Sequence, residues 1–221
     1  MARRLSNPFP SVRTEGGLLP AETLQRIAAG EAAAANRNSL SALTPASYHL
    51  PPGERLNEAI SRSWSRLVAA WASFRAAREK LPPTDAGTTL TRERWLLPLF
   101  AELGYGRLPT ARPVAAGGRD YAVSHLWQKT PIHLVSFRAG LDQKAPGVSG
   151  ASRSSPHSLV QELLNRSEEH LWGFASNGLV LRLLRDNASL SRQAYVEFDL
   201  AAMMEGELYS DFTLLWLLAH V

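Results

Sequence analysis

Three polar residues in the middle of the sequence, Asp120, Asp142 and Lys144, have the types that a magnesium-dependent nuclease uses. Such an enzyme holds Mg²⁺ with carboxylates on neighbouring strands and activates a water molecule beside the metal. Asp120 immediately precedes a predicted strand. The next predicted strand, residues 132–137, contains neither an acidic residue nor a lysine, and Asp142-Gln143-Lys144 follows only after it. We therefore predict a scaffold without nuclease activity, and an active nuclease that uses these three residues is the alternative hypothesis.

Several other catalytic patterns are missing from the sequence. The chain has no cysteine, which excludes disulfides, thiolate metal sites and a cysteine nucleophile. Gly104-Tyr105-Gly106 follows a predicted helix rather than a strand, so it does not match a phosphate-binding loop. Neither Ser155 nor Ser176 has the strand-turn-helix context of a serine nucleophile. The sequence therefore predicts no catalytic residue and no cofactor in this chain.

The histidines show no metal-binding pattern either. No two of the six are four residues apart, and none has a carboxylate at metal-ligand spacing; they lie at positions 49, 125, 133, 157, 170 and 220. His125 and His133 fall on adjacent predicted strands, so we expect them to lie near each other. We predict a structural pair here rather than a metal site.

Charge is distributed unevenly along the chain. The formal net charge is +4, but residues 1–80 carry +5, residues 81–155 carry +4 and residues 156–221 carry −5. A basic N-terminal part suits a polyanion such as DNA. A high-GC genome, whose proteins are rich in arginine and alanine, also produces this composition. The candidates for phosphate contacts are Arg62, Arg66, Arg107, Arg112, Arg119, Lys129 and Lys144. Trp127, beside Lys129, is either a platform for stacking a base or a buried aromatic at a strand end.

A β-hairpin is the clearest local prediction. Ser176-Asn177-Gly178 joins two apolar runs, residues 171–175 and 179–184, and Asn-Gly between such runs is a strong hairpin signal. A third β-rich run, residues 194–198, extends the hairpin to a meander, with Asp186-Asn187 as the turn before it. Two further strands are predicted over residues 121–126 and 132–137.

Helices are predicted before and after these strands. Apolar residues over residues 54–81 alternate in steps of three and four and form one stripe that faces a core. Within a second helix, residues 91–103, Pro98 is expected to kink or divide the helix, and Gly104 to end it. The other predicted helices span residues 20–35, 156–168, 200–204 and 210–221.

These elements predict an α+β (mixed α/β) fold, with N-terminal helices and one sheet of about five strands flanked by helices. Their order resembles a degenerate restriction-endonuclease-like core. We divide the chain into an N-terminal arm, short helix and linker (1–53), a helical subdomain (54–110) and a sheet-containing subdomain (111–221). No membrane span or signal peptide is predicted, which favours a cytoplasmic protein. The apolar ending LLWLLAHV predicts a polypeptide that continues.

Part of the sequence resembles a known protein family. Residues 91–221 are similar to the N-terminal region of large bacterial DNA adenine methyltransferases, the type IIG-like modification enzymes that include those of DISARM phage-defence systems. The strings that carry the resemblance are RERWLLPLFAELGYGRL, YAVSHLWQKTPIHLVSF and LWGFASNGLVLRLLRDNASLSRQAYVEFDLAAMMEGELYSDFTLLWLL. The most specific part begins at Ser176 and ends at Leu200.

The resemblance implies a role without catalysis. Enzymes of this family bind S-adenosylmethionine with a glycine-rich motif and the flipped adenine with an Asn-Pro-Pro-Tyr-type motif. Neither motif occurs here, and the nearest string, Asn7-Pro8-Phe9-Pro10, differs in residue order and position. The resemblance thus implies an accessory module whose partners are DNA and a downstream methyltransferase domain, with S-adenosylmethionine as the cofactor of the parent protein. A purely structural or protein-interaction domain is a further hypothesis.

Overall fold

A six-stranded sheet lies at the centre of the chain. The computed structural model of the protein describes residues 8–29, 43–186 and 193–221. In chain order the strands are β1 (Val12–Glu15), β2 (Val114–Ala116), β3 (Arg119–Tyr121), β4 (His125–Trp127), β5 (Thr130–Leu134), β6 (Trp172–Ser176), β7 (Val180–Arg185) and β8 (Tyr195–Asp199). The main sheet has the order β1-β8-β7-β6-β5-β4, and β2 and β3 form a separate pair. Only β5 and β6 are parallel neighbours among these described strands.

Helices cover both faces of this sheet, which confirms the predicted α+β class. They are α1 (Ala21–Ala28), α2 (Leu56–Glu79), α3, α4 (Pro156–Arg166), α5 (Leu200–Glu205) and α6 (Tyr209–Ala219). Helix α3 consists of four consecutive segments, Thr88–Thr91, Arg92–Leu96, Leu97–Phe100 and Ala101–Tyr105, of which the second and fourth are π-helical. In the part of the chain that the structure describes, no helix is both long and apolar enough to cross a membrane.

Two strand predictions differ from the structure. The N-terminal arm contains β1, which pairs antiparallel with β8 at the sheet edge. The predicted strand over residues 121–126 is divided between β3 and β4, because Val123 N–H donates to the Tyr121 carbonyl in a tight turn (3.0 Å). Residues 30–35 of the first predicted helix, and Asn187 of the predicted turn, lie outside the described residues.

Pro98 widens helix α3 but does not end it, whereas the sequence predicts a kink or a division there. Proline has no N–H group, so the hydrogen bond to the carbonyl of Arg94 is lost, and the backbone over Arg92–Leu96 widens into a π-helical turn. The helix continues past Pro98 and ends at Gly104, whose φ is 87°. Trp95, fully buried at the widened turn, donates its indole N–H to the carbonyl of Gly178 (2.7 Å). Helix α3 therefore supports the turn between β6 and β7 directly.

The predicted hairpin forms, with Gly178-Leu179 at its centre. Asn177 N–H donates to the Val180 carbonyl (3.3 Å), and the Asn177 side-chain oxygen accepts from the N–H groups of Leu179 (3.0 Å) and Val180 (2.9 Å). The side-chain amide of Asn177 donates to the carbonyl of Ala139 (2.8 Å). Gly178 alone in this turn has positive φ, at 82°. Asn177 thus joins the turn to the loop that follows β5.

The two ends of the described chain meet at a buried carboxylate. Asp211, in the first turn of α6, has no exposed surface, and it accepts from the N–H (2.8 Å) and the hydroxyl (2.6 Å) of Ser11. Ser210 also donates to it (3.2 Å). A buried carboxylate needs such donors. The contact places β1 beside the C-terminal helix and fixes the edge of the sheet.

The close approach of α3 to the β6–β7 turn yields a stability prediction. A Cβ atom at Gly178 would lie 2.6 Å from Thr91 Cγ2, whereas Gly53 has a similar φ of 88° and open space around it. We expect Gly53→Ala to cost about 1 kcal/mol of unfolding free energy for the backbone conformation. Gly178→Ala should cost about 2–4 kcal/mol because steric overlap adds to that term. Urea denaturation of both variants measures the difference, and equal losses would contradict this close packing.

Candidate functional site

The structure does not assemble the nuclease candidates into a metal site. Asp120 lies exposed on β3, outside the main sheet. Asp142, in the loop after β5, accepts two hydrogen bonds from Arg182, at 2.6 Å and 2.7 Å. Lys144 is exposed and forms no ion pair with a described residue. No group of three acidic or histidine side chains in the described ranges is placed to hold a metal ion.

Arg182 is instead the centre of a buried network. Its side chain is 5% exposed, although it is charged, and it lies in the middle strand β7. In addition to its two hydrogen bonds to Asp142, Arg182 donates from Nε to Glu197 Oε2 (2.6 Å). Its guanidinium lies 4.3 Å from the ring centre of Tyr195. Burial alone lowers the pKa of Arg182, but the hydrogen bonds that it donates to Asp142 and Glu197, together with their charges, outweigh burial and raise it. Conversely, the hydrogen bond from Arg182 lowers the pKa of Asp142.

The network extends across one face of the sheet. Strand register aligns Arg13, Glu197, Arg182, Ala175 and His133 in one row, from β1 through β8, β7 and β6 to β5. Arg13 lies 3.8 Å from Glu197. Because side chains alternate between faces, this row shares the face that α4 covers. The opposite face carries the large apolar core.

His157, at the start of α4, also contacts Arg182 and belongs to the buried network. Its Nδ1 lies 3.2 Å from an Arg182 nitrogen. Arginine only donates hydrogen bonds, so Nδ1 accepts and the proton of the neutral ring is on Nε2. Burial, followed by the charge of Arg182, lowers the pKa of His157 to about 4. The ring is therefore neutral at pH 7, and its buried Nε2 has no partner among the described residues.

His125 and His133 lie close together, as predicted, and are joined through Ser124. Ser124 N–H donates to His133 Nδ1 (3.2 Å), so His133 carries its proton on Nε2 and donates it to the carbonyl of Gly150 (2.7 Å). Ser124 Oγ contacts His125 Nδ1 (2.8 Å). Burial first, then the charge of Arg92, lowers the pKa of His125 to about 4; burial also lowers that of His133 to about 4. Both rings are neutral at pH 7, and His133 has no nitrogen left for a metal.

The predicted phosphate contacts separate into two groups. Three of them are held by carboxylates: Arg62 pairs with Glu54, Arg66 with Glu102 (3.2 Å) and Arg119 with Glu162 (2.6 Å). The other four are exposed and form no ion pair with any residue that the structure describes; they are Arg107, Arg112, Lys129 and Lys144. A cation that already has a carboxylate partner gains less from a phosphate, so the second group is the better candidate.

Three of the unpaired cations flank strand β4. β4 is an outer strand of the main sheet, and Thr110 forms an antiparallel bridge with His125 on it. Ala111 N–H also donates to the Ser124 carbonyl (3.0 Å). Arg107 and Arg112 therefore lie on either side of the bridge, and Lys129 lies in the β4–β5 turn. We call these three residues the edge cations.

Trp127 is packed against protein. Its ring stands 5.0 Å from that of Tyr105 in an edge-to-face arrangement, and the residue is half-buried at the end of β4. This favours the interpretation of Trp127 as a buried aromatic at a strand end.

Sequence reasoning missed Arg182, Glu197 and His157. A signal exists: Arg182 interrupts the apolar run of β7, and Glu197 interrupts that of β8, both at inward-facing positions. Opposite charges inside two adjacent strands indicate a cross-strand pair. The role of Asp142 has no such signal, because its partner is 40 residues away.

A scan of the chain against family models finds no match, and searches of curated proteins and of solved structures find no significant similarity. The relationship to DNA adenine methyltransferases therefore stays a prediction.

The buried network yields a stability prediction. Replacing Arg182 by methionine removes the charge and leaves Asp142 and the largely buried Glu197 without their partner. We expect a loss of about 3–5 kcal/mol in unfolding free energy, as for other broken buried pairs. Arg119→Met, which breaks the more exposed pair with Glu162, is the matched control and should cost at most about 1 kcal/mol. Denaturant melts at pH 7 compare the two, and equal losses would show that the network contributes no more than a surface pair.

Proposed function

We propose that this chain is a non-catalytic DNA-contacting module of a DNA N6-adenine methyltransferase in restriction–modification or phage defence. It binds the DNA backbone through the edge cations and docks on the methyltransferase domain of the same polypeptide. S-adenosylmethionine belongs to that downstream domain. The observation that carries the DNA contact is the set of three exposed cations along β4 that have no carboxylate partner among the described residues.

The spacing of the edge cations suits a phosphate backbone. Arg107 and Arg112 are five residues apart in the sequence, so they are separated by at most roughly 17 Å. Within that limit the two side chains can reach different phosphates of one DNA strand. No acidic residue occurs between Glu102 and Asp120 in the sequence, so the segment carries a local positive charge. Such contacts position a protein on DNA without reading its sequence.

The hydrogen bonds of Asp142 and the location of Asp120 favour DNA binding over DNA cleavage. A magnesium-dependent nuclease needs carboxylates that are free to hold the metal. Asp142 is engaged on both oxygens by Arg182, and Asp120 is on a separate pair of strands. The nuclease alternative would require the network around Arg182 to open, which favours the non-catalytic role.

Binding to duplex DNA across a salt series tests the proposed contact. Each phosphate contact contributes about 0.9 to the slope of log Kobs against log salt. Replacing Arg107, Arg112 and Lys129 together by alanine should therefore reduce the slope by up to about 3. The control replaces Arg62 and Arg66, which are paired with Glu54 and Glu102, and should change the slope by less than about 1.

Two results would overturn the contact. The first is the same slope for the wild-type chain and the variant of the edge cations. The second is no detectable binding of the wild-type chain to duplex DNA at low salt. Circular dichroism of each variant checks that the fold is retained, since all the replaced side chains are exposed or half-exposed.

Deleting the gene that encodes the chain tests the assignment to adenine methylation. We expect N6-methyladenine to disappear from one sequence motif of the host genome, because the deletion removes this module together with the methyltransferase domain of the same polypeptide. Sequencing that detects modified bases, before and after deletion and after complementation, gives the answer. An unchanged methylation pattern would exclude this role in adenine modification.

A further inference from the structure

A cavity opens at the end of the sheet where β4 turns into β5. Its volume is about 320 Å³, and it lies between the end of α3, the start of β6 and the end of α6. The residues that matter for its chemistry are Tyr105, Thr130, Trp172, Phe174, Leu218 and His220. A space of this size and apolar character is typical of a small-molecule site.

Three aromatic side chains line this cavity. Tyr105 and Phe174 are almost fully buried and meet edge to face, with ring centres 6.0 Å apart, whereas Trp172 is half-buried on the edge of the cavity. Tyr105 is held from its other side by Trp127. Rings fixed in this way favour a flat ligand, since stacking on an aromatic face is strong and needs no particular hydrogen bond.

The lining also carries polar groups with unused hydrogen-bonding capacity. The hydroxyls of Tyr105 and Thr130 form no hydrogen bond with any residue that the structure describes. Burial raises the pKa of Tyr105, so its hydroxyl keeps the proton and can donate. A flat ligand with polar edges suits these groups better than a hydrocarbon.

Three cations are neighbours of lining residues in the sequence or across a strand pair. Lys129 directly precedes the lining residue Thr130, and Arg107 follows Tyr105 by two residues. Arg185 is the cross-strand neighbour of Trp172, and its guanidinium stands 5.3 Å from the centre of the indole ring. Two of the edge cations are therefore attached close to the lining, and we expect their long side chains to reach a phosphate attached to the occupant.

We propose that this cavity binds one unstacked base of DNA while Lys129 and Arg107 hold the phosphates on either side of it. The inference rests on the proposed DNA contact and names the part of DNA that the site takes. Aromatic walls accept the faces of the base, and Tyr105 and Thr130 meet its polar edge. Each of the four bases has a face that can stack, so the site does not distinguish between the bases. The faces of a paired base are covered by its neighbours in the duplex, so the site selects unpaired nucleotides.

Saturation-transfer NMR with the full chain tests the cavity by itself. The probes are deoxyadenosine monophosphate and deoxyribose 5-phosphate, which lacks the base. We expect transfer to the adenine protons of the first and none to the second. Trp172→Leu removes one aromatic wall and should weaken deoxyadenosine monophosphate binding about 5-fold or more. Trp64→Leu, a half-buried tryptophan that packs on Phe212, is the matched control and should bind as the wild type does.

A second variant controls for a loss of structure in Trp172→Leu. Leu218→Trp fills the cavity without removing an aromatic wall, and it should also block the nucleotide. Equal binding by Trp172→Leu, by Leu218→Trp and by the wild-type chain would overturn the base site, as would no transfer to deoxyadenosine monophosphate.

Duplexes with and without one unpaired adenine separate this inference from the proposed function. We expect the wild-type chain to bind the bulged duplex at least about 5-fold more tightly, and Trp172→Leu to remove the difference. Equal binding of both duplexes would overturn the base site and leave the phosphate contact standing. Binding of the nucleotide with no binding of either duplex would overturn the phosphate contact alone.

Discussion

Arg182 imposes the main constraint on this fold. A guanidinium in the central strand of a sheet is tolerated only if its charge and its donors are satisfied, because an unpaired buried charge costs several kcal/mol. Its partners come from three parts of the chain: Glu197 from β8, Asp142 from the loop after β5, and His157 from α4. This one side chain therefore links the loop and α4 to the central strands of the sheet.

The two faces of the sheet are stabilised by different kinds of interaction. The α4 face carries the charged row and a small apolar cluster, whereas α2, α3 and α6 pack an extensive aromatic core on the other face. Trp71 and Trp95 are within that core, with ring centres 5.1 Å apart. Apolar packing provides most of the free energy, and the directional hydrogen bonds of Arg182 fix the register of the strands. The edge cations lie along β4, an outer strand of this sheet.

The sequence predicted the features that depend on neighbouring residues. The β6–β7 hairpin and the end of α3 at Gly104 follow from local backbone chemistry, and both are confirmed. At Pro98 the sequence predicted a kink or a division, whereas the helix widens into a π-helical turn and continues. Strand β1 was missed because it has four residues, and its pairing with β8 joins residues more than 180 positions apart.

The same limit applies to the candidate site. The sequence placed Arg66 and Arg107 in one group of cations, yet Arg66 is neutralised by Glu102, which is 36 residues away. Only the tertiary structure distinguishes a paired cation from an unpaired one. The cavity was also beyond prediction, because its lining comes from α3, β5, β6 and α6.

The bond between Ser11 and Asp211 has a consequence for biosynthesis. It links positions 200 residues apart, so a growing chain cannot close this edge until nearly all the described residues have left the ribosome. Until then, β1 lacks its partner strand β8, and an unpaired strand can pair with another chain. At a synthesis rate of about 5–20 residues per second, this interval lasts roughly ten seconds or more after β1 emerges. The N-terminal strand therefore stays without its partner during most of the synthesis of the described residues.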